Sequence, residues 1–189
     1  MTNQTHKTKA IFAVFIMVIL MIATRGHTNW LSSIIHLPDF TIPALFIAGV
    51  YLRTFWVAIV IIASAFAIDN YAIIHEGVSV NCITPAYSVL PLTYYGIFWV
   101  GKYLTILKID HNIIKNTLII IMACATQWFI ATASYFAFTT SPWGKFGSYI
   151  VHWSIIEIPL VLYWMVAIFI TFTLNHRYLL MPYFSAQKD

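Results

Sequence analysis

The sequence predicts an all-α integral membrane protein, a bundle of six transmembrane helices with both termini on the cytoplasmic side. Three observations carry this. First, only 8% of the 189 residues are charged and 61% are hydrophobic, with a mean hydropathy of +0.83. A soluble domain carries about 25% charged residues, so this chain could not cover its own surface in water. Second, apolar runs approach the roughly 20 residues that cross a bilayer, and they recur along the chain. Third, the Lys and Arg residues sort to one side once the runs are counted as six. The length suits one compact membrane domain, residues 1–189, with no room for a separate soluble domain. The net charge of +4 comes from cations scattered along the chain, so nothing points to a nucleic-acid partner.

The first span is expected near 8–24, where AIFAVFIMVILMIAT follows Lys7 and Lys9. No small-residue cleavage site precedes Arg25, so the run reads as a span and not as a signal peptide. The polar break RGHTNWLSS and a half-apolar stretch with His36, Pro38 and Asp39 come next. DFTIP, residues 39–43, has the form of a helix start, a capping Asp or Thr and then a Pro just inside. The following apolar run, 43–68, is interrupted by Arg53.

Arg53 sits either inside one helix or in a turn between two. Loop cations favour the cytoplasmic side, and this decides the point. With two helices, near 41–53 and 54–68, the cytoplasmic side holds Lys7, Lys9, Arg53, Lys102, Lys108, Lys115, Arg177 and Lys188, against Arg25 and Lys145 outside. With one helix, the cytoplasmic side keeps only Lys7, Lys9 and Lys145. Two helices also spare Arg53 the cost of burial in lipid, several kcal/mol on an order-of-magnitude scale. The second span can borrow residues from 30–41 to reach full length. Later spans are expected near 87–107, 114–138 and 148–174, with the turn SPWGKFG at 141–147 between the last two. On this count the third span ends near Asp69, and residues 70–86 form an irregular segment on the outer side. Irregular backbone at membrane depth persists only where it lines a cavity or is covered by protein, so an outward-facing cavity is expected there.

That segment carries Cys82, in NCITPAYSVLP, with Asp69, His75 and Glu76 before it and no Lys or Arg from 69 to 91. The other cysteine, Cys124, lies in IIIMACATQWF and reads as a small buried hydrophobe. Without a C-x-x-C pair, dithiol redox chemistry and a zinc ribbon are disfavoured. Three roles remain open for Cys82. It is a packed small residue; or a nucleophile served by one of the outer histidines, His27, His75 or His152; or a metal ligand, since a thiolate is a soft, strong donor. A lone cysteine cannot hold a free metal ion tightly, but it can cap a metal whose other positions a cofactor fills. Aromatic residues, 17% of the chain, gather near the outer ends: Trp30, Tyr71, Tyr87, Tyr94, Tyr95, Trp143, Tyr149 and Trp153. An interfacial belt explains most of them, and a large flat ligand with amide edges would use the same residues.

The size, the six-helix topology and the segment DNYAIIHEGVSVNCITPAY together resemble the BtuM family. These are small cobalamin-specific membrane proteins of bacterial inner membranes, related to the S-components of energy-coupling-factor (ECF) transporters. The resemblance covers most of the chain in topology, but in specific residues only about 69–87. It implies a six-helix bundle of ECF S-component type that binds cobalamin from the outer side. It also implies that Cys82 ligates the corrin cobalt, with Asp69 and Tyr87 matching the family's binding-site aspartate and tyrosine. A thiolate in one axial position would weaken the bond to a cyanide opposite, so decyanation dependent on Cys82 is an implied activity. Carboxylates suit harder ions, so Asp69 is expected to accept hydrogen bonds from corrin amides or loop backbone. Tyr87 is expected to pack on the ligand and donate a hydrogen bond. An ECF coupling module, a transmembrane subunit with ATPases, is the implied partner besides cobalamin and the bilayer.

Other polar residues stand in apolar surroundings. Glu157 lies well inside the last span, where an acid is a functional candidate. Equally, it is a neutral acid bonded to a Thr or Tyr nearby, or to a carbonyl freed by Pro159. Gln127 is expected to make an interhelical hydrogen bond, and Asp110 and His111 to be solvated beside Lys108 and Lys115. The pairs Ala63–Ala67 and Ala133–Ala137 have the spacing of close-packing helix faces. No G-x-x-x-x-G-K-[ST] loop is present to bind ATP. The rivals to cobalamin uptake are a membrane thiol enzyme, of transpeptidase or acyltransferase type, using Cys82, and a haem protein, for which no two histidines stand at matching depth in neighbouring spans.

Overall fold

A computed structural model of the chain describes residues 2–25, 38–77, 84–106, 113–139 and 143–178. Among these there is no strand. Six α-helices run in order: α1 Thr2–Arg25, α2 Thr41–Tyr51, α3 Phe55–His75, α4 Leu90–Ile106, α5 Ile113–Phe138 and α6 Phe146–Tyr178. Short 3-10 turns at Pro85–Val89 and Trp143–Lys145 lead into α4 and α6. Within α1, α3, α5 and α6 lie stretches long and apolar enough to cross a membrane, and most of each stretch is not buried inside the bundle. Ile11 is 70% exposed, and Phe12, Phe15, Ile74, Ile155 and Leu162 also turn outward. Such faces suit lipid, and the chain is a multi-pass, all-α membrane protein.

α2 is different. Every residue from Thr41 to Val50 is buried. The helix sits at the centre, packed against α1, α3, α4 and α6. Its 11 residues extend only about 16 Å at 1.5 Å per residue. Lipid tails are as apolar as side chains, so helices in a bilayer associate by close packing more than by a hydrophobic force. α2 and α4 achieve this through two glycines. A Cβ on Gly49 would overlap the carbonyl oxygen of Phe98, and one on Gly101 would overlap the carbonyl oxygen of Phe46. The small pairs singled out in the sequence lie elsewhere. Ala63 and Ala67 are exposed on α3, and of the other pair Ala133 is half-buried and Ala137 exposed.

The chain turns at Arg53, which takes a left-handed conformation (φ 54°) between α2 and α3. α3 departs from expectation at its far end. It does not stop near Asp69 but continues to His75. Nothing in NYAIIH breaks a helix; the stop is Gly77, whose φ of 70° gives the left-handed residue that commonly follows a helix C-terminus. Residues 70–75 are therefore helical and not part of an irregular segment. At its other end that segment gives way to the 3-10 turn at Pro85. Residues 78–83, Cys82 among them, lie outside the described residues. The stretch 26–37, which holds His27, Trp30 and His36, lies outside them too, as do Asp110 and His111.

Candidate ligand-binding site

Asp69, placed inside α3 by the helix's extra length, meets two partners at the end of the bundle where α4 begins. Arg25, the last residue of α1, donates from Nε to Oδ1 at 2.7 Å and from Nη2 to Oδ2 at 2.8 Å. Tyr87, in the 3-10 turn before α4, donates its hydroxyl to Oδ2. Its ring stands edge-on to Phe66 with centroids 4.8 Å apart. Asp69 and Tyr87 are 18 residues apart, and their bond closes the intervening chain, which carries Cys82, into a loop. Two of the three residues matched to the family site are thus in direct contact. Their polar groups are directed at each other and at Arg25.

Arg25 is the residue that the sequence placed in a polar outer break. Its side chain is instead only 11% exposed, held between two carboxylates. Besides Asp69, it donates through Nη1 to Asp39 Oδ2 at 2.5 Å, to Thr41 Oγ1 at 3.0 Å and to the Tyr94 hydroxyl at 3.2 Å. A guanidinium's fork of fixed donors suits this work, and an ammonium would not replace it. A cation taken from water next to lipid is costly, and two carboxylates with a bidentate fit offset that cost. Asp39 has a second task, expected from DFTIP: its Oδ1 accepts the Thr41 amide at 2.9 Å and the Thr41 hydroxyl at 2.6 Å, closing the exposed start of α2. Its backbone carbonyl accepts the Trp164 indole of α6 at 2.9 Å. The cluster joins α1, the start of α2, α3, α4 and α6.

Beside this clamp lies a cavity of about 440 Å³ between α4, α5 and α6. Tyr94 and Trp164 belong to both, bonded to the clamp and lining the cavity. Glu157 of α6 faces the cavity, and its Oε2 accepts the Trp128 indole of α5 at 2.5 Å. The partner is neither the Thr or Tyr nor the proline-freed carbonyl that the sequence suggested. Gln127 also lines the cavity, 5% exposed. Its Oε1 has no hydrogen-bond partner among the described residues, against the expected interhelical bond. A buried carbonyl left unpaired costs about 1–3 kcal/mol. Thr132, Tyr135, Tyr149 and Trp153 complete the polar and aromatic wall. Of the aromatics gathered near this end, Tyr94 is 5% exposed while Trp143 is 68% exposed. The first belongs to the site and the second to an outward belt.

Cys124 is fully buried in the core, as its surroundings implied. Among the described histidines, His75 stacks on Tyr71 with centroids 4.7 Å apart at the end of α3, and His152 stands on α6 beside Trp153. No group of three or more metal-ligating side chains occurs among the described residues. The sequence did hold one signal for the clamp: Arg25, Asp39 and Asp69 all fall at or near the same-side ends of three consecutive apolar runs, where opposite charges can meet. Trp128, inside an apolar run, gave no sign of its bond to Glu157. The chain matches no protein-family model and no curated protein.

Proposed function

We propose that the protein takes up cobalamin across a bacterial inner membrane, capturing the corrinoid from outside with Cys82 as a cobalt ligand. The observation that carries the reading is the Asp69–Tyr87 contact, which closes the Cys82-bearing segment against the Arg25 clamp. An aromatic cavity that shares Tyr94 and Trp164 with the clamp supports it. In this reading Asp69 and Tyr87 act mainly by fixing the two ends of the ligating segment. The Cys82 thiolate takes the lower axial position of a cobalt whose four equatorial positions are filled by the corrin. Sulfur donation weakens the bond to cyanide on the opposite face. Cyanide leaves with the bonding electron pair, water takes its place, and the cobalt keeps its oxidation state.

The topology that goes with this reading has six spans of ECF S-component type, both termini cytoplasmic and Cys82 outside. The Lys and Arg distribution supports it. The central α2 supplies the helical part of the second span. The sequence has no ATP-binding loop, so energy comes from an ECF coupling module or from trapping of the cargo inside.

The test is the visible spectrum of cyanocobalamin mixed with the purified protein. Ligation predicts a shift away from the base-on form that is lost in Cys82→Ser and kept in Cys124→Ser, because a serine hydroxyl stays protonated and Cys124 is buried. A spectrum unaffected by Cys82→Ser rules out direct ligation and favours the thiol-nucleophile alternative. Labelling of Cys82 in intact spheroplasts by a membrane-impermeant maleimide tests the orientation; labelling only from the cytoplasmic face refutes it.

A further inference from the structure

The cavity between α4, α5 and α6 carries chemistry that the clamp and Cys82 leave unused. Two acceptors line it: the Glu157 carboxylate, with Oε2 bonded to Trp128, and the Gln127 side chain, with its carbonyl oxygen buried and unpartnered. No Lys or Arg lines the cavity. A ligand carboxylate or phosphate would meet acceptors only, so the site selects for hydrogen-bond donors. The rest of the wall is mainly aromatic and aliphatic, with Tyr135, Tyr149 and Trp153 prominent. At about 440 Å³ the cavity can hold a small molecule or one arm of a larger one, and it cannot enclose a corrinoid whole.

We propose that this cavity binds a primary carboxamide. Such a group offers two N–H donors on one nitrogen, one for the Glu157 carboxylate and one for the Gln127 carbonyl. The carbon chain or ring that bears it lies against Tyr149 and Trp153. This deepens the cobalamin reading, on which it rests for the identity of the whole ligand, since primary amides edge the corrin ring. The carboxamide preference itself follows from the cavity alone.

The test titrates the detergent-solubilised full chain with benzamide and with benzoate, following tryptophan fluorescence, because Trp128, Trp153 and Trp164 line the cavity. Benzamide should bind saturably and at least tenfold more tightly than benzoate. Glu157→Gln, which keeps an acceptor for Trp128, should narrow that preference by removing the negative charge. Gln127→Leu, which keeps the volume, should weaken benzamide about tenfold with the thermal midpoint of unfolding unchanged. Equal binding of the two probes, or a preference that neither substitution alters, overturns the proposal. Cyanocobalamin added as competitor separates this result from the uptake reading. Amide selectivity without any cobalamin binding leaves the carboxamide site standing and refutes cobalamin as cargo. Cobalamin binding without amide selectivity does the reverse.

Discussion

If the Arg25 clamp holds this end of the bundle together, its members should be strongly coupled in stability, and unequally so. Arg25 and Asp69 are 11% and 21% exposed and share two short charge-assisted hydrogen bonds. Bonds of this kind contribute about 1.5–3 kcal/mol each, and removing one partner of a buried pair costs about 3–5 kcal/mol. The two truncations are not equivalent. Asp69→Asn leaves the guanidinium paired with Asp39 at 2.5 Å, so its cost falls to about 2–3 kcal/mol, near the lower part of that scale. Arg25→Gln leaves two carboxylates facing each other without a cation and should cost the full 3–5 kcal/mol, roughly. In the double variant the second change removes a group whose partner has already gone. The coupling energy should therefore be about 2 kcal/mol, within the range seen for contacting pairs. The assay is reversible unfolding of the detergent-solubilised protein by SDS, followed by far-UV circular dichroism, for wild type, both single variants and the double. Additive single effects, with a coupling below about 0.5 kcal/mol, would refute the clamp as described. A larger cost for Asp69→Asn than for Arg25→Gln would refute the charge asymmetry behind it.

Two further outcomes follow from the packing and from the site. Gly49→Ala drives a methyl group into the Phe98 carbonyl and should destabilise the protein by several kcal/mol, whereas Gly96→Ala, in the same helix pair with nothing within 4 Å, should raise stability by roughly 0.5–1 kcal/mol through helix propensity; equal thermal midpoints for the two would sink the close-crossing interpretation. Tyr87→Phe keeps the ring on Phe66 and removes the hydroxyl bonded to Asp69, so cobalamin binding should weaken roughly tenfold, the equivalent of one hydrogen bond of about 1.4 kcal/mol, with the far-UV spectrum intact; unchanged affinity in equilibrium dialysis would remove that bond from the site.

The sequence by itself determined that the chain lives in a membrane, because a composition with 8% charged residues admits no water-facing surface. It located the helix start at Asp39 and the Arg53 turn from residues whose effects are local: a capping acid, and a cation that lipid would penalise. It also flagged Asp69, Tyr87, Gln127 and Glu157, since polar groups stand out against apolar runs. Its failures share one cause. Where α3 ends was misjudged because Asp69 looked like a boundary, whereas the chain has no reason to leave the helix before Gly77. Arg25 was assigned to a surface because a lone cation after an apolar run has no visible partner in one dimension. Its carboxylates are 14 and 44 residues further along the chain, and only the packing of α1 against α2 and α3 brings them within reach. The same holds for Gly49 with Gly101 and for Trp128 with Glu157. Local sequence fixes what each residue needs, whether a partner, a turn or close contact. Which distant group meets that need is decided when the helices cross, because the energy of an ion pair or a van der Waals contact depends on separation in space and not along the chain.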